Sequence, residues 1–447
     1  MTRKRIAIIG AGLSGAAVAV QLVRQRPAPD IVLIERAGRF GQGLAYSTVD
    51  SSHVLNVRAS NMSMLADEPE DFARWLSERN GGASTVFATR ASYGAYVAHT
   101  LRSARDKRLF GKAITFVRDT VVGCARAGER WSIECESGKS IEADAVVLAT
   151  GHQPPLALPV FSDSGVEMIG AWDGEGLRRM RQGDLLLLGA GLTMIDVALS
   201  LARRRKGTIY ALSRRGLVPR PHLDPPRPER GEPMELPIRL SEAVYEFRRE
   251  VARTAERGEP WQLAVDRVRQ HSQSLWQHLP LEAQRRFLRH LRPWWDVHRH
   301  RMAPEIAARV RALMAEGRLR VLAGEIVSAA PNGRGVTVQH RQRGSMVRHK
   351  LDVAGVVNCT GGSLDFARAD DRLLNQLLRA GLARPHANGL GVDLDSESRV
   401  IGSDGNANPT LFAIGPLTQG AFWESTAVPD IRNWAKAIAE SLTRSQI

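Results

Sequence analysis

Cysteines and long apolar runs are scarce in this chain of 447 residues. The three cysteines, Cys124, Cys135 and Cys359, have no C-x-x-C or C-x4-C spacing, which argues against a disulfide scaffold, a structural zinc site and a redox-active dithiol. No apolar run approaches the roughly 20 residues that cross a bilayer, and no apolar segment resembling a signal peptide precedes the first strand. The sequence therefore predicts a soluble cytoplasmic protein with no membrane partner.

Acidic residues are also few: the chain has 47 Asp and Glu against 62 Lys and Arg, which gives a formal net charge of +15. Such a balance suits an anionic partner, or it reflects Arg-rich helical faces encoded by a GC-rich genome. The basic residues are scattered, as in "LARRRKG", with no aromatic-interleaved repeat and no nucleic-acid fold signature. We therefore expect no nucleic-acid partner.

The N-terminal segment "RIAIIGAGLSGAAVAVQLVRQ" has a dinucleotide-binding fingerprint. An apolar strand leads into Gly10-x-Gly12-x-x-Gly15 and then an Ala-rich helix, so the glycines allow a tight turn, a close approach of a pyrophosphate and close helix–strand packing. The next strand ends at Glu35, whose carboxylate accepts from ribose hydroxyls and repels a 2′-phosphate. This site therefore favours FAD or NAD over NADP.

A second fingerprint, "GDLLLLGAGLTMIDVALSLARRRKGTIYALSRRG", repeats the strand, Gly189-x-Gly191 and the helix, with Met194 in place of the third glycine. Its second strand ends in a hydroxyl and two guanidiniums, a set that matches a 2′-phosphate through charge-assisted hydrogen bonds. These residues are Ser213, Arg214 and Arg215. The second site is therefore predicted to prefer NADPH to NADH.

Strand–glycine turns recur outside the fingerprints. "ADAVVLATGHQPP" is a buried strand that ends at Thr150-Gly151, "DVAGVVNCTGGSL" repeats this pattern, and the C-terminal strand runs into Gly415-Pro416 before a final amphipathic helix. This order resembles the two-dinucleotide-binding flavoproteins, which bind FAD in the first unit and NAD(P)H in an inserted second unit. The resemblance implies that Gly415 and Pro416 lie against FAD and that the last helix points its N-terminus at the isoalloxazine.

More narrowly, "FGQGLAYST", "HVLNVRASNMSM", "WWDVHRHRMAP" and "GPLTQGAFWESTAVPDIRNWA" resemble a bacterial FAD/NAD(P)-binding group that includes FAD-dependent urate hydroxylases and amino-acid N-hydroxylating enzymes. In that architecture the segment after the first unit passes beside the flavin ring. The resemblance thus implies that Asn56 and Arg58 are catalytic, as donors that stabilise the reduced flavin, although both could instead satisfy a surface loop. Further predicted cofactor contacts are Ser14, Arg36, Gly43, Leu44 and Thr193.

The central region is the expected source of substrate specificity. A Pro-rich linker, residues 219–237, precedes two or three Arg-rich helices that reach about Ala315. Within "RHLRPWWDVHRHRMAP", His298 and Arg301 are predicted substrate donors beside a Trp pair, although the same residues could be core anchors and a solvated face. The spacing His298-x-His300 has no carboxylate or cysteine partner at a convincing distance, so no metal site is expected.

These features predict an α/β fold with two Rossmann-like dinucleotide-binding domains and an α-helical insertion. The FAD domain is expected to be discontinuous, over 1–165 and 350–447. The NAD(P)H domain is expected over 166–218 and 316–349, with the linker and helical insertion over 219–315.

The leading functional hypothesis is an FAD-dependent, NADPH-consuming monooxygenase that uses O2 through a flavin C4a-hydroperoxide and acts on a small polar nitrogenous molecule. The family resemblance suggests urate hydroxylation to 5-hydroxyisourate first and amino-acid or amine N-hydroxylation second. Two alternatives stay open: a reductase that passes electrons to a quinone or a protein, and a flavin-bearing nucleic-acid-binding or sensor protein. The oligomeric state is not predicted.

Overall fold

The computed structural model describes residues 3–80, 86–107, 111–225, 234–368 and 370–444. The strands are β1 (Arg5–Ile9), β2 (Asp30–Ile34), β3 (Ile114–Val117), β4 (Val121–Ala127), β5 (Arg130–Cys135), β6 (Ser140–Ala143), β7 (Ala145–Leu148), β8 (Met168–Gly170), β9 (Leu185–Leu188), β10 (Ile209–Ser213), β11 (Leu319–Asn332), β12 (Gly335–Gln342), β13 (Arg348–Val353), β14 (Gly355–Asn358), β15 (Arg399–Ile401) and β16 (Ala407–Ala413).

The α-helices are α1 (Leu13–Arg24), α2 (Gly43–Tyr46), α3 (Asp71–Asn80), α4 (Arg90–Arg105), α5 (Pro159–Ser162), α6 (Gly174–Arg179), α7 (Leu192–Ala202), α8 (Leu240–Glu256), α9 (Gln262–Arg269), α10 (Ser272–His278), α11 (Leu281–Arg286), α12 (Arg292–Arg299), α13 (Pro304–Ala315), α14 (Arg372–Arg379), α15 (Gln419–Phe422) and α16 (Val428–Arg444). A π-helical turn, Phe287–Leu291, joins α11 to α12, and 3-10 turns lie at Ala59–Asn61, Phe366–Arg368 and Gly415–Thr418.

The first sheet has the strand order β15-β16-β7-β1-β2-β3, and every pairing is parallel except that of β15 with β16. The segments of β1, β2 and β7 are nearly all apolar because both faces of the sheet are covered. Helices α1, α4 and α16 pack on one face, and the antiparallel β4–β6 sheet with α14 packs on the other. The carboxyl ends of β1, β7 and β16 therefore lie side by side at one edge of the sheet.

The second sheet has the order β13-β12-β11-β10-β9-β14-β8. Strands β8, β14, β9, β10 and the first half of β11 are parallel, whereas the second half of β11 forms an antiparallel meander with β12 and β13. Helices α7 and α13 cover one face through an apolar cluster. Two Rossmann-type sheets, each with a parallel core, and a helical insertion confirm the predicted α/β fold class.

Two details differ from the sequence expectations. Strand β14, which the expected boundary at residue 350 assigned to the first domain, pairs with β9 in the second sheet. The region from Leu240 to Ala315 contains six helices, α8–α13, instead of two or three, because short loops such as residues 257–261 interrupt the helical pattern. The division of the chain into an FAD domain, an NAD(P)H domain and an insertion otherwise stays a prediction.

The Pro-rich linker, residues 219–237, is described only in part. Residues 219–225 and 234–237 contain no helix or strand, apart from an isolated bridge of Pro221 with Met302, and residues 226–233 lie outside the described residues. Within the described ranges, no helix combines the length and the apolar character that crossing a lipid bilayer requires.

Candidate functional site

The turn between β1 and α1 has the geometry that its three glycines predict. Gly10 has a φ of +99°, and a Cβ there would lie 2.3 Å from the Ala149 carbonyl oxygen. A Cβ on Gly15 would lie 1.9 Å from the Gly10 oxygen, so only glycine allows α1 to pack this closely. Gly12 is the N-cap of α1 and caps it with no side chain, so the first N–H groups of the helix are left for an anionic group.

Glu35, at the end of β2, is held next to this turn. The Ala11 N–H donates to its Oε2 at 2.9 Å, and the Ala37 N–H donates to its Oε1 at 3.0 Å. Each carboxylate oxygen has a further lone pair, so Glu35 can still accept from a ribose hydroxyl. The neighbouring Arg36 is exposed.

The segment that follows Gly38 packs directly on the first fingerprint. The Gly41 N–H donates to the Ala11 carbonyl at 2.7 Å, and Gly43, with a φ of +56°, would place a Cβ 3.1 Å from the Gly12 Cα. Leu44, which follows in α2, is exposed. The glycines of this segment thus bring its backbone against the turn where a pyrophosphate is expected.

The ends of β7 and β16 complete the same edge. Gly415 lies so close to the first unit that a Cβ on it would be 2.7 Å from the Ser14 hydroxyl, and Pro416 is buried beside it. Thr150 has a buried Oγ1 without a hydrogen-bond partner among the described residues, and the space around a Cβ on Gly151 is open. A free helix N-terminus, a carboxylate, an unpartnered hydroxyl and close backbone approaches together fit a dinucleotide such as FAD.

The second fingerprint repeats this geometry at β9 and α7. Gly189 would place a Cβ 2.6 Å from the Cys359 carbonyl oxygen, and Gly191 is the N-cap of α7 with open space around it. Thr193 is half-buried in the first turn of α7, and Met194 is buried at the position of the third glycine.

The three residues at the end of β10 have different surroundings. The Ser213 hydroxyl accepts from the Gly216 N–H at 3.0 Å and therefore also closes the turn. Arg215 donates to the Arg289 carbonyl at 3.4 Å, whereas Arg214 is exposed and its guanidinium contacts no partner among the described residues. Arg214 is thus the more available of the two predicted 2′-phosphate ligands.

Asn56 and Arg58 meet the segment that leads into the helical insertion. The Asn56 carbonyl oxygen lies 2.9 Å from Nε2 of His222, and Arg58 donates to the Leu223 carbonyl at 2.6 Å. The Arg58 guanidinium also lies over the Phe87 ring, 4.6 Å from its centroid. Burial lowers the Arg58 pKa, and Asp224 opposes this shift. Their contact with a flavin stays a prediction.

His53 attaches the same segment to the second unit. Its Nε2 lies 2.8 Å from the Ser200 hydroxyl of α7, and its Nδ1 lies 2.8 Å from the Thr48 hydroxyl. Ser200 donates to the Asp50 carboxylate at 2.7 Å, so it accepts from His53 Nε2–H and is not an activated nucleophile. Burial raises the pKa of Asp50, but the hydrogen bonds from Ser200 and Ser52 lower it by more. We infer that His53 has a structural role between the two nucleotide units.

Arg301 and His298 lie in the insertion, where both are engaged by protein groups. Arg301 is 3% exposed, forms a bidentate ion pair with Asp266 and donates from Nε to the His298 carbonyl at 2.8 Å. His298 pairs its Nδ1 with the Trp294 carbonyl at 2.8 Å, and its ring stands edge-on to Trp261. The Arg301 guanidinium therefore joins α9 to the end of α12, and a direct catalytic role for it is only a prediction.

A buried charged cluster, which sequence reasoning did not single out, lies between the insertion and the start of α16. Arg299 of α12 pairs with Glu424 at 3.1 Å, and Arg269 of α9 pairs with Asp430 at 3.4 Å. The Glu424 Oε1 and the Ser425 hydroxyl are buried without a hydrogen-bond partner among the described residues. Both residues follow Trp423 in "GAFWEST". A single acid within an otherwise uncharged and largely apolar segment is the sequence signal that could have identified Glu424.

The pKa shifts in this buried cluster favour the ionised Arg299–Glu424 pair. Burial raises the Glu424 pKa, but Arg299 opposes burial and the pKa is lowered overall. Burial lowers the pKa of Arg299, an effect that Glu424 counteracts, and it also lowers the pKa of His300. In Asp430 burial raises the pKa, although Arg269 opposes it. Glu424 is therefore a carboxylate with one oxygen available to a donor.

Comparisons with known proteins agree with this arrangement. Residues 7–153 match the model of a family described as FAD-NAD(P)-binding. The curated 4-hydroxybenzoate brominase (decarboxylating) of Marinomonas mediterranea is 26% identical over 219 residues, a match that spans 47% of this chain and 39% of the brominase. The chain thus spans well under half the length of that relative.

Two solved structures share the fold over the full length of both chains. L-lysine 6-monooxygenase from Pseudomonas syringae superposes with a TM-score of 0.69 at 18% identity, covering 100% of each chain. The ornithine N-hydroxylase of Kutzneria sp. 744, with reduced FAD, NADP+ and L-ornithine, superposes with a TM-score of 0.65 at 16% identity, again covering 100% of each. These matches show that the chain shares the fold of two-dinucleotide-binding flavoproteins, as the sequence resemblance predicted, and that residues 7–153 are similar to an FAD-NAD(P)-binding family.

Proposed function

We propose that the protein is an FAD- and NADPH-dependent monooxygenase that hydroxylates the nitrogen of an amine. One atom of O2 enters an N–H bond, the other leaves as water, and NADPH supplies the two electrons. When bound, the reduced flavin supplies the oxygen chemistry, and the protein binds, orients and shields the reactants. The FAD/NAD(P)-binding match and the fold shared with lysine and ornithine hydroxylases support this reaction class.

The observation that carries the proposal is the unpartnered Glu424 Oε1. A buried acceptor without a donor costs roughly 1–3 kcal/mol or more, so a ligand that supplies an N–H relieves this cost. The other oxygen is held by Arg299, which keeps the carboxylate ionised. An amine N–H can donate to Oε1 and to the free Ser425 oxygen, which fixes the direction of the nitrogen lone pair.

The cofactor residues have separate tasks in this proposal. Gly10, Gly12 and the N-terminus of α1 would bind the FAD pyrophosphate, and Glu35 would accept from its ribose. Gly191 and the N-terminus of α7 would do the same for NADPH, with Arg214 on its 2′-phosphate. The start of α16, which lies next to Glu424, would direct its positive end toward the reacting centre.

Urate hydroxylation is the second candidate, and a reductase function is the third. An ionised carboxylate attracts an ammonium or accepts from an amine, whereas it repels the urate anion, so Glu424 favours the amine. A reductase would need no such acceptor beside the reacting centre. Both alternatives share the cofactor sites. Urate hydroxylation differs from the proposal in the molecule that is oxygenated, and the reductase differs in the electron acceptor.

The test is oxygen incorporation by the purified FAD-loaded protein. We expect NADPH oxidation under 18O2 to accelerate with an amine from a panel that runs from L-lysine, L-ornithine and cadaverine to amino acids with longer aliphatic or aromatic arms. The product should be a hydroxylamine with one 18O atom. Glu424→Gln should raise the KM for the amine about tenfold, whereas Glu440→Gln, at a half-buried position of α16, should leave it unchanged. Stimulation by urate with 5-hydroxyisourate as product, or quinone reduction without oxygen incorporation, would contradict the proposal.

A further inference from the structure

The helical insertion lines a cavity, called here the insertion cavity, with a volume of about 920 Å3. This volume lies in the upper part of the range for small-molecule sites, which is roughly 300–1,000 Å3. Its wall is mainly aliphatic and aromatic: Phe247 and Val251 of α8, Trp261 beside α9, and Trp294 and Trp295 of α12. A small polar nitrogenous molecule would leave most of this surface without contact, so the cavity suits a larger, apolar ligand.

The charges at the insertion cavity all have one sign. The charged or titratable side chains in its described lining are Arg220, Arg248, His290 and His298, and no carboxylate lines it. The guanidiniums of Arg220 and Arg248 form no ion pair or hydrogen bond within the described ranges. Trp295 adds a buried indole N–H that has no acceptor among the residues described. Cations and an unpartnered donor complement an anionic oxygen group.

The insertion cavity and the proposed amine site both use the C-terminal segment around Trp423. Trp423, which precedes Glu424, forms part of its wall, stacks on Trp276 with 4.7 Å between ring centroids and meets Phe287 edge to face. The Trp276 indole N–H donates to the Gly420 carbonyl at 2.8 Å, which ties α10 to the C-terminal segment. Trp423 therefore connects the wall of the cavity to the chain segment that carries Glu424.

We propose that the insertion cavity binds an apolar molecule that bears one carboxylate, and that the amine substrate has such an apolar, carboxylate-bearing body. The identification of this ligand with the substrate rests on the proposed function, whereas its binding to the cavity does not. The substrate class is then an amino acid with a long aliphatic or aromatic arm, larger and more apolar than lysine or ornithine.

Binding is measured on the FAD-loaded protein without NADPH, through tryptophan fluorescence, because five of the nine tryptophans line the cavity. The probes are octanoate, decanoate and dodecanoate below their micelle concentrations, with dodecan-1-ol and dodecylammonium for comparison. We expect saturable binding of dodecanoate, with the Kd falling about fourfold for each added methylene. We also expect dodecanoate to bind several-fold more tightly than either C12 comparison probe, by a margin that shrinks as salt is raised.

Two matched pairs of variants locate the site on α8. Val251→Glu should raise the Kd for dodecanoate at least tenfold, whereas Tyr245→Glu, exposed on α8 and outside the cavity, should not change it. Arg248→Gln should weaken dodecanoate but not dodecan-1-ol, and Arg249→Gln should weaken neither. Circular dichroism and thermal unfolding of each variant check that the fold is retained.

The outcomes separate the two proposals. Any one of three results would overturn the cavity inference. These are a lack of saturable binding, equal affinity for the three C12 probes, and binding that Val251→Glu leaves unchanged in a folded variant. Tight, carboxylate-selective binding in a protein that oxygenates no amine would sustain the cavity inference and overturn only the proposed function.

Discussion

At the residue scale, His222 connects the segment that carries Asn56 to the insertion. Burial and the charge of Arg301 lower its pKa from the ordinary 6.5 to about 4. The neutral ring donates to the Asn56 carbonyl, and a proton would have to enter a buried and positive environment. His222 is therefore a group through which acid weakens this junction.

We expect the free energy of unfolding to fall as the pH is lowered from 6.5 to 4. In this range His222 takes up a proton in the unfolded chain but stays largely neutral in the folded protein. The contribution of His222 is complete above pH 6.5 and decreases by about 3 kcal/mol as the pH falls to 4. His222→Gln, which keeps a donor for Asn56 but does not titrate, should remove this part of the slope. Urea unfolding across this pH range measures it, and equal slopes in both proteins would refute the prediction.

Gly43 gives a second prediction at this scale. It has a positive φ and its Cα side faces Gly12, so an alanine adds both backbone strain and a contact at 3.1 Å. Gly128 has a φ of +64° and nothing within 4 Å, so Gly128→Ala adds the strain alone. Flavin fluorescence should show an FAD Kd raised about tenfold in Gly43→Ala and unchanged in Gly128→Ala. A similar FAD Kd in both variants would argue that Gly43 does not shape the pyrophosphate site.

At the element scale, the end of β10 is predicted to set the coenzyme preference. Arg214 projects from it without a partner among the described residues, while Arg215 is engaged with the Arg289 carbonyl. A charge-assisted hydrogen bond contributes about 1.5–3 kcal/mol, so Arg214→Gln should lower kcat/KM for NADPH about 10- to 100-fold. Arg214→Gln should change kcat/KM for NADH by no more than about twofold. Arg215→Gln should lower kcat/KM for NADPH less than Arg214→Gln does. Equal losses with both coenzymes would show that Arg214 does not recognise the 2′-phosphate.

The loop after β2 and helix α7 act together at the same scale. Asp50 and His53 from the loop both bond Ser200 of α7, and Arg90 of α4 forms an ion pair with Asp196 of α7 at 3.0 Å. These contacts lie where the first nucleotide unit meets the second. The loop that opens the predicted flavin site thus also holds the coenzyme unit in place.

At the scale of the whole molecule, we expect the net charge of +15 to act on the anionic coenzyme. A positive protein field raises the association rate of an anion and is screened by salt over a Debye length of about 10 Å at 0.1 M. We expect kcat/KM for NADPH to fall several-fold between about 0.02 and 0.5 M NaCl, and more steeply than for NADH. Steady-state kinetics at constant pH measure this. Salt-independent NADPH kinetics, together with a gel shift of duplex DNA at physiological salt, would instead favour the nucleic-acid hypothesis.

The sequence by itself determined both nucleotide units. A strand, a glycine turn, a helix and a second strand occupy about 30 consecutive residues, so Gly10, Glu35, Gly189 and the residues of β10 could be read as local patterns. The turns at Thr150 and Gly415 could also be predicted, because each is a local pattern of a strand and a glycine. Each is a short segment whose conformation depends on its own glycines.

Only the tertiary structure decided what the side chains of the substrate region do. The sequence left Arg301 available to a substrate, but the fold pairs it with Asp266. His53 forms a hydrogen bond with Ser200, 147 positions away, and Glu424 pairs with Arg299, 125 positions away. No local pattern encodes such pairs, because burial and long-range packing choose the partner of a charge. The same packing of α8–α12 against Trp423 created the insertion cavity, which no single helix predicts.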